Sequence, residues 1–120
     1  MKRVLLVDDE KDFLFLVKEN LKEAGFEVIA ATNGRDALIA VEKNRPDIIV
    51  LDIALPDIDG ATISRKLEED PATSGIPIIF ISGVFSRDES EKQDHFLHGK
   101  TFLPKTFDME ELIAEINKLT

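Results

Sequence analysis

Carboxylates, a hydroxyl and a lysine recur at one kind of place in this chain, immediately after a short apolar run. Val4–Val7 runs into Asp8 and Asp9, Ile48–Leu51 into Asp52, Ile76–Ile81 into Ser82 and Gly83, and Thr101–Leu103 into Pro104 and Lys105. Three carboxylates gathered in one place repel, and burial raises their pKa values unless a cation compensates. An all-oxygen donor set without histidine or cysteine suits Mg²⁺ or a similarly hard ion, which keeps waters or a phosphate in its shell. A lysine and a hydroxyl opposite such an ion are what the oxygens of a phosphoryl group require. The chemistry these residues suit together is phosphoryl transfer with Asp52 as the nucleophile. Singly, each has a plainer reading. Asp52 can cap a strand end, Asp8-Asp9-Glu10 can open a helix whose dipole favours acids, and Ser82 can be a turn residue.

The elements that must bring these residues together follow from periodicity. Ile48–Leu51 and Ile76–Ile81 are continuous branched apolar runs, the pattern of strands buried on both faces of a parallel sheet. Pro77 lies at the start of its run, where a missing N–H is tolerated. Phe26–Ala30 is more polar and reads as a strand nearer an edge, and Thr101–Leu103 as a short fifth strand. Between them, Phe13, Leu14, Leu16, Val17, Leu21 and Ala24 mark a first helix stopped by Gly25. Ala37, Leu38 and Val41 mark a second, after the Asn33-Gly34 turn, and Ile63 and Leu67 a third, after Pro56 and Gly60. Ser86–His98 is mostly polar, with Phe96 and Leu97 as its main anchors, so any helix there is weakly pinned. Asp108, with Glu111 in capping-box position, opens a last helix through Leu112, Ile113, Ile116 and Leu119. Strands alternating with helices predict an α/β doubly wound, five-stranded parallel sheet with right-handed crossovers. In such a sheet the carboxyl ends of the strands converge on one crevice.

Bulk properties narrow the partners. The 120 residues predict a single domain spanning 1–120, long enough for one well-covered core. A net charge of -9 disfavours nucleic acid and anionic membrane surfaces as direct ligands and favours a cation or a basic surface. With no cysteine, disulfides and thiolate sites are excluded. The apolar run near Met1 is too short for a signal peptide or a membrane span, so a cytoplasmic location is expected. His95 and His98 lack partners at ligand spacing and read as surface residues. Met109 reads as a helix-start residue.

In order and spacing, Asp8-Asp9, Asp52 with Leu55-Pro56 and Asp59-Gly60, Ser82-Gly83 and Phe102-x-x-Lys105 resemble a response-regulator receiver domain, the phosphoacceptor module of two-component signalling, over the whole chain. The resemblance implies a flavodoxin-like sheet of strand order 2-1-3-4-5. It implies that Asp52 accepts a phosphoryl group from a phosphohistidine of a histidine kinase or histidine phosphotransfer protein, the chain assisting only its own phosphorylation and dephosphorylation. Asp8, Asp9, Asp52 and the backbone carbonyl of Ala54 would hold Mg²⁺. Ser82 and the Gly83 N–H would contact phosphoryl oxygens, and Lys105 would pair with the phosphoryl charge. Phe102 would change rotamer as Ser82 moves; the plainer alternative is an ordinary core aromatic. The unphosphorylated protein is expected to be a monomer, with a downstream protein partner that the sequence does not name. The polar Ser86–His98 segment is the expected switching surface.

The chain also departs from that family. The family usually has a proline, joined by a cis peptide, directly after the lysine, whereas here Thr106 follows Lys105 and Pro104 precedes it. A non-proline cis bond costs about 3–4 kcal/mol, so the loop is expected to be trans unless something compensates. Ala54 and Val84 stand where polar side chains in the family can orient a hydrolytic water, which predicts slow loss of the phosphoryl group. Two other functions compete. A haloacid-dehalogenase-like phosphatase would need an Asp where Ala54 stands, and a receiver-like module could bind partners without being phosphorylated. A flavin carrier is disfavoured, because no hydroxyl- and glycine-rich phosphate loop follows the first strand.

Overall fold

Three of the apolar runs are buried along their length: Arg3–Val7 (β1) from Val4 onward, and Ile48–Asp52 (β3) and Ile78–Ser82 (β4) throughout. Strands without a polar face need cover above and below, which places them inside a parallel sheet. Glu27–Ala31 (β2) and Thr101–Pro104 (β5) carry exposed positions and form the edges. The computed structural model describes residues 1–83 and 101–120. Val84 and the Ser86–His98 segment, with His95, Phe96, Leu97 and His98, lie outside the described residues. The strand order is β2-β1-β3-β4-β5 and every pairing is parallel, as the resemblance implied.

The helices Lys11–Glu23 (α1), Gly34–Asn44 (α2), Gly60–Glu69 (α3) and Met109–Leu119 (α4) cover the two faces. Alternation along each strand divides the core. Val4, Leu6, Val50, Ile79 and Ile81 pack against Leu14, Val17 and Leu21 of α1 and Leu112 and Ile116 of α4. Leu5, Val7, Ile49, Leu51 and Phe80 pack on the other face, against α2 and α3. Each of these large side chains contributes about 1.5–3 kcal/mol by leaving water.

Local bonds set where the elements start. Gly25 takes φ 97°, a left-handed conformation that closes α1. The Phe26 N–H is spent on the Leu21 carbonyl (3.1 Å), so β2 begins at Glu27, one residue later than the pattern suggests. Likewise the Ile76 N–H donates to Thr73 O (3.1 Å), and β4 begins only at Ile78. Asn33, Asp59 and Asp108 cap α2, α3 and α4, each carboxylate or amide oxygen accepting a backbone N–H at 2.8 Å. Pro104 falls on an edge strand, where a missing donor is harmless. Among the described residues no helix is long and apolar enough to cross a membrane.

Candidate functional site

The site grows out of the carboxyl ends of four neighbouring strands. The Asp8 N–H continues the β1–β2 ladder by donating to Ala31 O (3.1 Å), which turns the Asp8 carboxylate inward, where it is fully buried. Asp52, the last residue of β3, is 3% exposed, and its Oδ1 accepts from the Ala54 N–H at 3.0 Å. Ser82 ends β4 and is buried. The Lys105 N–H donates to the Ser82 carbonyl at 2.9 Å, so the turn after β5 starts beside that serine. From there Lys105 Nζ reaches Asp8 Oδ2 at 2.8 Å, Glu10 Oε1 at 3.0 Å and Asp52 Oδ2 at 3.2 Å.

Oxygens of Asp8, Asp9 and Asp52 lie within 4.8 Å of one another. Burial pushes the Asp8 carboxyl above its ordinary range, only partly offset by Lys105 and the Glu10 N–H. Burial and the Asp8 charge likewise push Asp52 up, against the pull of the Ala54 N–H and Lys105. Burial disfavours the Lys105 ammonium, but Asp8, Glu10 and Asp52 outweigh it and hold the lysine above its usual value. One ammonium thus pairs with three carboxylates, and Asp9 stands beside two of them. One atom tests the fit of a metal. Asp8 Oδ2 meets Lys105 by distance but not in hydrogen-bond geometry, and it is the one buried side-chain oxygen among the described residues without a hydrogen-bond donor. A buried carboxylate oxygen held only by an ion pair, beside two further carboxylates, fits a hard divalent ion.

The other expected residues also have definite places. Ala54 is exposed, on the loop leaving β3. Gly83 lies under the aliphatic stem of Lys105, and a Cβ there would come 3.2 Å from Lys105 Cδ. Phe102 is half-buried opposite Phe80 and packs on the α2/α3 side of the core. There is no cis peptide among the described residues, so Lys105-Thr106 is trans.

Several contacts had no signal in the sequence. Glu10 sits at the N-cap of α1, yet its side chain makes no capping hydrogen bond; it turns to Lys105, 95 positions away. Phe13, one of the apolar positions that mark the first helix, is partly buried against the α1/α4 core. It also lies under Lys105 Nζ, 4.8 Å from the ring centroid. Asp57 caps α2 from a distant loop, accepting the Gly34 and Arg35 N–H groups at 2.7 and 3.0 Å. Gly60 is required by space, since a Cβ would stand 2.9 Å from Ile53 Cα and 3.1 Å from Asp52 O.

Comparison with known proteins identifies the family and the fold. The family profile of the response regulator receiver domain matches residues 4–117. The chain is 41% identical to the alkaline phosphatase synthesis transcriptional regulatory protein PhoP of Bacillus subtilis, over 98% of this chain and 48% of that protein. It is 32% identical to protein PilH of Pseudomonas aeruginosa, over 98% of this chain and 96% of that one. The solved response regulator TrrA of Thermotoga maritima, in complex with Mg²⁺–BeF, aligns with a TM-score of 0.84 at 31% identity, covering 100% of both chains. Against two further curated relatives the chain spans 49% and 26% of their length.

Proposed function

This chain belongs to the response regulator receiver family, and on that premise we propose that Asp52 accepts a phosphoryl group from a phosphohistidine on a histidine kinase or histidine phosphotransfer protein. The observation that carries the reading is the approach of Asp8, Asp9 and Asp52 to one another within 4.8 Å, with Lys105 already 3.2 Å from Asp52. TrrA was solved in complex with Mg²⁺–BeF, which supports reading this acidic cluster as a site for a metal and a phosphoryl group. Asp8, Asp9, Asp52 and the Ala54 carbonyl are the residues that would hold Mg²⁺, which supplies charge neutralisation for the incoming phosphoryl oxygens.

An Asp52 oxygen forms the new bond to phosphorus while the bond from phosphorus to the donor imidazole breaks, its electron pair returning to the ring. Lys105 pairs with the phosphoryl charge, and Ser82 with the Gly83 N–H donates to phosphoryl oxygens. Phe102 follows Ser82 as the packed element that transmits the change. The Ala54 methyl cannot orient a water, so the phosphoryl group is held long, and Ala54→Asn shortens its lifetime when decay is followed by intact mass.

The test of the reading is incubation with Mg²⁺ and acetyl phosphate, with intact mass measured beside Asp52→Asn. A Mg²⁺-dependent gain of one phosphoryl, absent in the variant, is expected. A folded wild-type protein that gains nothing would overturn the proposal in favour of a module that binds its partners unphosphorylated.

A further inference from the structure

Lys105 Nζ has three carboxylate partners, and they are not equivalent. Asp8 and Asp52 belong to the group whose oxygens converge as metal donors, and Glu10 does not. When a cation and a phosphoryl group occupy the Asp8 and Asp52 oxygens, those lone pairs are no longer available to the lysine. Of the three carboxylates Glu10 alone then remains, to steady the lysine as the ammonium turns to the phosphoryl charge. Its side chain is free for that task, because it makes no capping bond to α1.

A second support comes from beneath. The Phe107 N–H donates to Pro104 O at 3.0 Å, closing a tight turn that carries Lys105. Phe107 meets Phe13 edge to face, with centroids 6.0 Å apart and planes at 73°, so the turn is fastened to α1 by ring packing. The Phe13 face also lies 4.8 Å from Nζ, where the ring quadrupole attracts a cation.

We infer that Glu10 and Phe13 of α1 are positioning residues for Lys105, keeping its ammonium at the mouth of the acidic pocket when Asp8 and Asp52 turn to metal and phosphoryl group. The inference rests on the proposed phosphoryl transfer but concerns residues outside its donor set. It predicts that two variants with opposite effects on charge fail alike. Glu10→Gln removes the charge, and Glu10→Asp keeps the charge but shortens the reach. Both slow phosphorylation by acetyl phosphate, by about three- to sixfold, the size of a half-exposed ion pair. Phe13→Leu, which keeps the apolar packing and removes the ring face, slows it less.

The deciding readout is nuclear magnetic resonance of the Lys105 side chain, with and without Mg²⁺. Wild type with Mg²⁺ keeps an observable, slowly exchanging Lys105 ammonium, with ring-shifted ε-methylene protons. Glu10→Gln and Glu10→Asp lose the ammonium signal in Mg²⁺ while retaining it without metal, where Asp8 and Asp52 still hold the lysine. Phe13→Leu loses the ring shift alone. Wild-type spectra and rates in the Glu10 variants would overturn the inference. A faster Glu10→Gln beside an unchanged Glu10→Asp would also overturn it, since Glu10 would then act only through its field. Failure of wild type to be phosphorylated would instead strike the proposed function.

Discussion

Asp8 and Asp52 are carboxylates held where water barely reaches them, the first fully buried and the second 3% exposed. Both have pKa values raised by burial, so the native state binds protons more readily than the unfolded chain. The contribution of this pair to the stability of the metal-free protein is therefore expected to fall as pH rises through and above the ordinary carboxylate range. Asp52→Asn removes one of the opposed charges while Lys105 keeps Asp8 and Glu10. It should raise metal-free stability at neutral pH by about 1 kcal/mol, with a smaller difference in acid, as read by urea unfolding. Mg²⁺ should reverse the order. At a hundredfold excess over its dissociation constant it adds about 2.7 kcal/mol to wild type, and less to a variant lacking one ligand. The types of these residues were legible in the sequence because chemistry constrains them. The Lys105–Glu10 pair was not, because nothing in the local pattern of a helix start tells which of its acids turns back toward the sheet.

At the scale of elements, the loop leaving β3 is tied down at both ends. Asp57 caps α2 and Asp59 caps α3, and Gly60 lets α3 begin against the β3 backbone. The N–H donors from Gly34 and Arg35 hold the Asp57 carboxyl below its ordinary value. Its contribution is present above the ordinary carboxylate range and is lost as pH falls through the lowered value. Asp57→Ala is therefore expected to unfold at lower denaturant than wild type at neutral pH, the two curves converging in acid. Gly60→Ala forces a methyl against backbone atoms that cannot yield, and should cost about 2 kcal/mol, measured by chemical denaturation. Asn33-Gly34 and Asp59-Gly60 looked alike in the sequence, as polar punctuation before a helix. Only the fold shows that the first is closed by an acid 23 positions downstream, a separation that periodicity does not encode.

For the whole molecule, strand identity was readable because β1, β3 and β4 are continuous apolar runs and each ends where chemistry begins, whereas the strand order came from the family resemblance and not from the runs themselves. The element boundaries that shifted, at Phe26 and Ile76, did so because a backbone N–H was already engaged in a cap or turn. One feature of that order also bears on how the chain reaches its fold. β1 lies between β2 and β3, with Val4 opposite both Val28 and Ile48. During synthesis β1 therefore emerges before either strand that flanks it, and its second edge stays open until β3 has left the ribosome. Each parallel pairing closes a long loop before any contact rewards it, the arrangement that makes folding slow. A nascent chain ending before Ile48 displays a central strand as an edge, and that interval, rather than the finished domain, is when this sequence is most exposed to wrong pairing.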